Sequence, residues 1–218
     1  MEGRLSVAVG GSRELTRRFG TYDRLTVRQR KRWLEILLSF EMKNTYDVYA
    51  GEQPVFRVQE LGKGFVSLIK RVFLGPFRPF EAEVVELATQ EPVLRLRRPF
   101  RFVLHRLEVT SPTGERVGAI QRRWSWLRRI YVIEDAVGQV VADIFGPILR
   151  PWTFVLRVNQ EVRGVIQKRW SGLLKEAFTD ADNFGVELGG LEDAQSKALA
   201  FAATVLIDVV HFERSKGG

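Results

Sequence analysis

The stretch "FTDADNFGVEL", residues 178–188, sets Asp180, Asp182 and Glu187 around Asn183 and Gly185 in an otherwise apolar setting. Closely spaced carboxylates beside a glycine are suited to a hard divalent cation such as Ca2+, which takes oxygen ligands. The same residues also suit a chain reversal, because Asp182-Asn183 is good turn chemistry and Gly185 can take a positive φ. Two readings stand: a hairpin turn alone, or a metal site built on that turn with Asp180 and Asp182 as ligands.

A second constellation is cationic. "GAIQRRWS", Gly118 to Ser125, returns as "GVIQKRWS", Gly164 to Ser171, so that Arg122 and Arg123 precede Trp124 as Lys168 and Arg169 precede Trp170. Basic pairs beside tryptophan fit an anionic lipid interface, where the amphipathic indole sits at headgroup level. The alternative is that the tryptophans anchor the core and the basic pairs cover strand ends. Arg95, Arg97, Arg98, Arg128 and Arg129 add positive charge nearby in sequence, and "VRQRKRW", residues 27–33, is either a small anionic contact or a solvated turn. The repeat also bears on the carboxylates. Its offset carries Asp180 back onto Glu134 in "YVIEDAVGQVV", which reads as strand, turn, strand.

Catalytic chemistry is poorly provided for. The two histidines, His105 and His211, fall in a strand and at the end of an apolar run, where structural roles are the common outcome. No phosphate-cradling loop, dinucleotide fingerprint or nucleophile elbow occurs, so the sequence reads as a non-enzyme. The absence of cysteine excludes disulfides, thiolate chemistry and cysteine-ligated zinc, and fits a reducing, cytoplasmic setting. Lysine and arginine outnumber aspartate and glutamate 34 to 26, a net charge of +8 that favours anionic partners. An anionic membrane surface is the first of these; the alternative is a soluble regulatory module binding nucleic acid or a protein partner. The N-terminal apolar stretch, Leu5 to Val9, is too short for a secretory signal.

The elements that must carry these residues are mostly strands. From Tyr46 onward the chain alternates apolar and polar residues in runs separated by Gly, Asn, Asp or Pro, as in "YDVYAGEQPVFRV" and "IYVIEDAVGQVVADI". That is the pattern of meandering hairpins, about ten to thirteen strands in all. Residues 1–24, rich in Gly, Arg and Ser, read as a flexible basic lead-in. After Leu188 the pattern changes: Asp193 offers an N-cap, and Ala198 to Ile207 is apolar on every side apart from Thr204. The run is about half the roughly 20 residues a membrane crossing needs, so the helix belongs inside the protein. The expected architecture is mainly β, a closed barrel of about a dozen antiparallel strands around one buried apolar C-terminal helix.

The blocks "NTYDVYAGEQPVFRVQE", "GPFRPFEAEVVE", "RRPFRFVLHRLEV", "FVLRVNQEVRGVIQKRWSGLLKEAFTDADNFGVEL" and "KALAFAATVLIDVVHFER" resemble, in order, those of the phospholipid scramblases. The resemblance covers Leu34 to Arg214 and implies a tubby-like fold, a twelve-stranded barrel around a hydrophobic helix, for a single domain over residues 25–218. It further implies calcium-stimulated, ATP-independent, bidirectional movement of phospholipids between leaflets. The basic, cysteine-free chain departs from the palmitoylated members, so peripheral attachment must come from charge or exposed apolar surface. The segment corresponding to the family's calcium loop runs from Asp180 to Leu191. Counted as an EF-hand-type loop, it places Asp180, Asp182 and Gly185 well, but Phe184 stands fifth and Leu191 twelfth where oxygen donors belong. The calcium affinity expected from that donor set is weak.

Overall fold

The computed structural model describes residues 13–29, 45–61, 79–100, 104–126, 128–169 and 183–211. Twelve strands follow one another: β1 (Arg24–Gln29), β2 (Thr45–Ala50), β3 (Gln53–Glu60), β4 (Phe80–Glu86), β5 (Pro92–Arg98), β6 (Arg106–Thr110), β7 (Arg116–Arg123), β8 (Arg129–Glu134), β9 (Val140–Gly146), β10 (Thr153–Val158), β11 (Glu161–Arg169) and β12 (Asn183–Glu187). Each pairs antiparallel with its sequence neighbours, and β1 also pairs with β12, closing the barrel. Closure leaves no sheet edge exposed. Alternation decides which side chains enter: in β9 Ala142, Ile144 and Gly146 face inward, and in β10 Phe154 and Leu156 do.

The outer wall is laced by cross-strand ion pairs set by register. Arg57 faces Asp47 at 2.8 Å, Arg95 faces Glu83 at 3.2 Å and Arg97 faces Glu81 at 3.2 Å. Arg157 pairs with Asp143 in the same way. Opposite charges directly across a strand pair each add a few tenths of a kcal/mol, roughly 0.2–1. Several of the wall's carboxylates are thereby matched to its arginines.

Residues 13–19 are helical (α1), and Ala194–His211 form the C-terminal helix α2. Asp193 caps α2, its Oδ1 accepting from the Ser196 amide at 2.7 Å. Every residue from Ala198 to Val210 is buried, so the apolar helix is enclosed by the barrel. The one hydroxyl in that run is satisfied locally, Thr204 donating to the Ala200 carbonyl at 3.0 Å. At 1.5 Å per residue α2 extends for about 27 Å, enough to run the barrel's length. Strand β7 approaches it closely: a Cβ on Gly118 would lie 2.8 Å from a Leu199 methyl and 2.3 Å from the Glu134 carbonyl. Gly164 has the same relation to the Glu187 carbonyl, at 2.4 Å. The repeated glycines thus serve the same close approach in both copies.

That equivalence corrects two readings of the acidic segment. Ala119 pairs with Glu134, and in the second copy Ile166 pairs with Val186, which aligns Glu134 with Glu187 instead of Asp180. The β11–β12 connection is longer than the β7–β8 connection, so the constant sequence offset ends with the strand. Gly185 is not a turn glycine either. It sits inside β12, opposite Thr26 on one side and Gln167 on the other, and its φ is not positive. Pairing with β1, remote in sequence, overrides the local turn chemistry of Asn183 and Gly185.

The lead-in is also more than a tail. Among residues 13–24, Phe19 is fully buried, stacked on Phe56 at 4.9 Å and against Phe201 of α2 at 5.7 Å. A single aromatic in an arginine-rich segment is enough to fix it, because burying a ring contributes on the order of 2–3 kcal/mol.

Candidate functional site

Register gives the barrel two unlike ends. The connections β2–β3, β4–β5, β6–β7, β8–β9 and β10–β11 are short reversals at one end, here the turn end. Gly51, Gln90, Gly114, Gly138, Asn159 and Gln160 supply the positive φ values these reversals need. The connections β1–β2, β3–β4, β5–β6, β7–β8, β9–β10 and β11–β12 lie at the other, the loop end. Helix α2 starts at the turn end, where Gln195 donates to the Val117 carbonyl at 2.7 Å and Lys197 to the Gly20 carbonyl at 2.9 Å. Its C-terminus therefore points toward the loop end.

The cationic repeat lies at the loop end in both copies, but its residues divide. Arg122 shares a strand face with buried Ile120, and Lys168 with buried Ile166, so both point into the barrel mouth. Lys168 is buried, its Nζ 5.4 Å from the Trp152 ring and 5.8 Å from the Phe184 ring. Arg98, on the face of Leu96, is a third inward cation there and, like Lys168, is buried. These charges gather where α2 ends, and the negative end of a helix dipole favours cations. Arg123 and Trp124 point outward instead, Trp124 being 66% exposed. Trp124 is accordingly a surface residue and not a core anchor. The side chain of Arg169 and all of Trp170, Asp180 and Asp182 lie outside the described residues. Between β7 and β11 stand β8, β9 and β10, about 19 Å of wall at some 4.8 Å per strand. The two copies therefore occupy separate sectors of one rim.

Of the other arginines singled out in the sequence, Arg95 and Arg97 are engaged on the wall. Arg28, from the 27–33 run, lies over the Tyr49 ring at 4.3 Å. Arg128 and Arg129 belong to the loop end: Arg129 stacks on Phe154 at 4.5 Å and donates to the Pro151 carbonyl at 2.6 Å. His105, in the β5–β6 connection, is buried, and burial together with Arg98 and Arg122 lowers its pKa to about 4. It is neutral near pH 7. Tyr131, paired with Arg122, is pushed up by burial. Asp208 is buried in the last turn of α2, near the helix end as a carboxylate in an apolar run must be. No group of three or more His, Asp or Glu gathers among the described residues to hold a metal ion.

Sequence reasoning missed the neighbouring loop. "GPILRPW", residues 146–152, has the prolines of a break between strands, yet Leu149 is 93% and Ile148 56% exposed. Trp126, the second indole of "WSWLRR", is 89% exposed and packs edge-on against Trp124 at 5.8 Å. The available signal was apolar residues inside a turn, which solubility alone disfavours.

Comparison with known proteins adds to this geometry. A family model described as Scramblase matches residues 10–214. The chain is 32% identical over 209 residues to phospholipid scramblase 1 of Mus musculus, covering 88% of this chain and 62% of that protein. It is 30% identical over 210 residues to phospholipid scramblase 2 of Homo sapiens, covering 89% and 69%. Phospholipid scramblase family member 5 of Homo sapiens is 27% identical over 212 residues, with 90% and 76% covered. No solved structure matches. The chain thus spans less than two thirds of the mouse protein's length, while the family match runs through the helical lead-in, the closed barrel and the enclosed helix alike. On that match the chain belongs to the scramblase family.

Proposed function

We propose that this chain binds anionic phospholipid at its loop end and promotes ATP-independent, bidirectional exchange of phospholipid between leaflets, stimulated by calcium. One observation carries the reading for a member of this family: Arg123 and Trp124 stand exposed together on a rim where no acidic residue occurs from 117 to 133. Guanidinium groups meet phosphate, and an indole beside them fits the headgroup level. By the sequence repeat, Arg169 and Trp170 are assigned the same part. Arg122 and Lys168, turned inward, contribute positive potential at the mouth rather than direct contact.

Calcium is assigned to Asp180 and Asp182. Because residues 183–187 are strand, few further oxygen donors follow these two in sequence, and weak affinity is the expectation. The lipid step itself is constrained by distance, since a headgroup must cross about 30 Å of hydrocarbon. Among the described residues no helix is long and apolar enough to span a membrane. The rim residues are therefore assigned to capturing headgroups and disturbing one leaflet from its surface, as a protein attached peripherally on the cytoplasmic side. Reconstitution into vesicles carrying a fluorescent phospholipid tests this. Dithionite should bleach more than the outer-leaflet half of the signal, and faster with calcium; a bleached fraction equal to that of protein-free vesicles would remove the exchange activity.

A further inference from the structure

The rim supports a more specific statement, which rests on the lipid-binding reading above. Among the described residues its two most exposed large apolar side chains, Trp126 and Leu149, come from different loops, residues 124–128 and 147–152. Those loops are neighbours, because β8 begins where β9 ends, Arg129 opposite Gly146. They are also tied together. Arg129 donates across to the Pro151 carbonyl at 2.6 Å, and the Lys168 amide donates to the Trp152 carbonyl at 2.9 Å, fastening the second loop to β11. Each loop is thus a supported projection carrying apolar tips: Trp124 and Trp126 on one, Ile148 and Leu149 on the other.

The charge that these two loops themselves carry has one sign. Arg123, Arg128 and Arg150 are exposed beside them, and no aspartate or glutamate occurs from 117 to 133 or from 144 to 160. A protein partner would need cavities matched to exposed tips carried on two separate loops. A bilayer surface needs none, since the headgroup layer flows around projections and its phosphates meet the arginines. We infer that the β7–β8 and β9–β10 loops form a paired wedge that docks the barrel end-on onto an anionic membrane, with Trp126 and Leu149 entering the headgroup–acyl boundary and Arg123, Arg128 and Arg150 at the phosphates. In this pose the barrel axis stands on the membrane and the turn end, with Val137, faces away from it.

The lack of cysteine makes the pose directly measurable. Leu149→Cys and Val137→Cys, the second at a 78% exposed position in the β8–β9 turn, are each labelled with an environment-sensitive fluorophore. They are mixed with vesicles of phosphatidylcholine containing phosphatidylserine. The label at 149 should shift to the blue and become accessible to a quencher confined to the lipid, while that at 137 stays unchanged. The double variant Trp126→Ser/Leu149→Ser should lower vesicle partitioning about tenfold or more, with an unaltered melting curve. Sedimentation of wild-type protein with vesicles while the 149 label stays water-exposed, or while the 137 label shifts instead, would overturn the wedge and leave lipid binding intact. Failure of the wild-type chain to sediment with anionic vesicles would remove both. Equimolar duplex DNA that strips the protein from vesicles, and is itself bound unchanged by the double variant, would assign the rim to nucleic acid and overturn the wedge.

Discussion

At the turn end of the barrel a helix covers part of the core; at the loop end indoles and an isoleucine–leucine pair stand out from the rim. Helix α1 closes the turn end. Its Phe19 enters the core, and its Arg18, buried, meets Glu86 and Glu91 at 2.6 Å each as well as Glu14. Lys197 of α2 adds contacts to the Gly20 carbonyl and to Asp23 at 3.2 Å. The loop end gathers inward cations around the helix terminus and exposes indoles and an isoleucine–leucine pair outward. Both ends belong to one closed sheet, so the contrast lies in the connections. The reversals at the turn end leave a surface that α1 covers, whereas the β7–β8 and β9–β10 loops, of similar length, carry exposed apolar tips. Stability should therefore concentrate at one end and membrane affinity at the other.

The largest separation is expected from Phe19→Ala. Losing a fully buried ring stacked on Phe56 should cost about 3–5 kcal/mol, read as a lower midpoint in urea. Vesicle partitioning of the folded fraction should not change. A loss below 1 kcal/mol would mean that α1 does not close the barrel.

The next effect is acid sensitivity at the loop end. His105 titrates near 4 in the folded chain against an ordinary 6.5, so between these values the unfolded state binds the proton and the folded state does not. Stability is present above pH 6.5 and is lost as pH falls toward 4, by on the order of 3 kcal/mol. His105→Asn should flatten a plot of unfolding free energy against pH in that window. A plot no flatter than wild type would place the acid sensitivity in other groups.

How much of this contrast the sequence carried differs by element. Strand alternation, the Asp193 cap and the all-round apolar run of Ala198 to Ile207 are local patterns, and each reappears as barrel, cap and enclosed helix. Family resemblance reached the same architecture from whole blocks. The errors came where non-local pairing decides. Gly185 is a strand residue because β1 lies beside it, and Phe19 is core because Phe56 and Phe201 wait across the barrel. The repeat predicted that Arg122 and Lys168 would be equivalent, and both do turn inward at the mouth. What it did not carry is that loops 124–128 and 147–152 meet, since that follows from β8–β9 register and not from either loop's composition.

Below these effects comes Arg18→Met, which removes the cation facing Glu14, Glu86 and Glu91 while keeping most of its apolar stem. The carboxylates are partly solvated, so the loss should be about 1–3 kcal/mol instead of that of a fully buried pair. The variant should also shed an acid dependence of its own. Hydrogen bonds from Arg17 and Arg18 hold the Glu14 carboxyl below its ordinary 4.5; their contribution is present above that value and lost as pH falls through the folded one. Acid unfolding below about pH 4.5 should be shallower in the variant than in wild type. An unchanged acid limb would show that Arg17 alone sets the Glu14 carboxyl.

The smallest stability effect belongs to the residue with the greatest expected effect on membrane affinity. Trp126 is 89% exposed and touches Trp124 edge-on, so Trp126→Ser should shift the unfolding free energy by less than about 0.5 kcal/mol, as for surface positions generally. An indole kept in water at a loop tip contributes little to the fold, and its exposure is then best understood through what it contacts outside the chain. A thermal midpoint several degrees lower in the variant would show that the indole packs on the protein in solution. The contrast between a stabilised end and a binding end would then be weaker than the static geometry implies. A midpoint unchanged beside a reduced vesicle affinity would separate the two ends energetically, because the same substitution would be silent for folding and costly for docking.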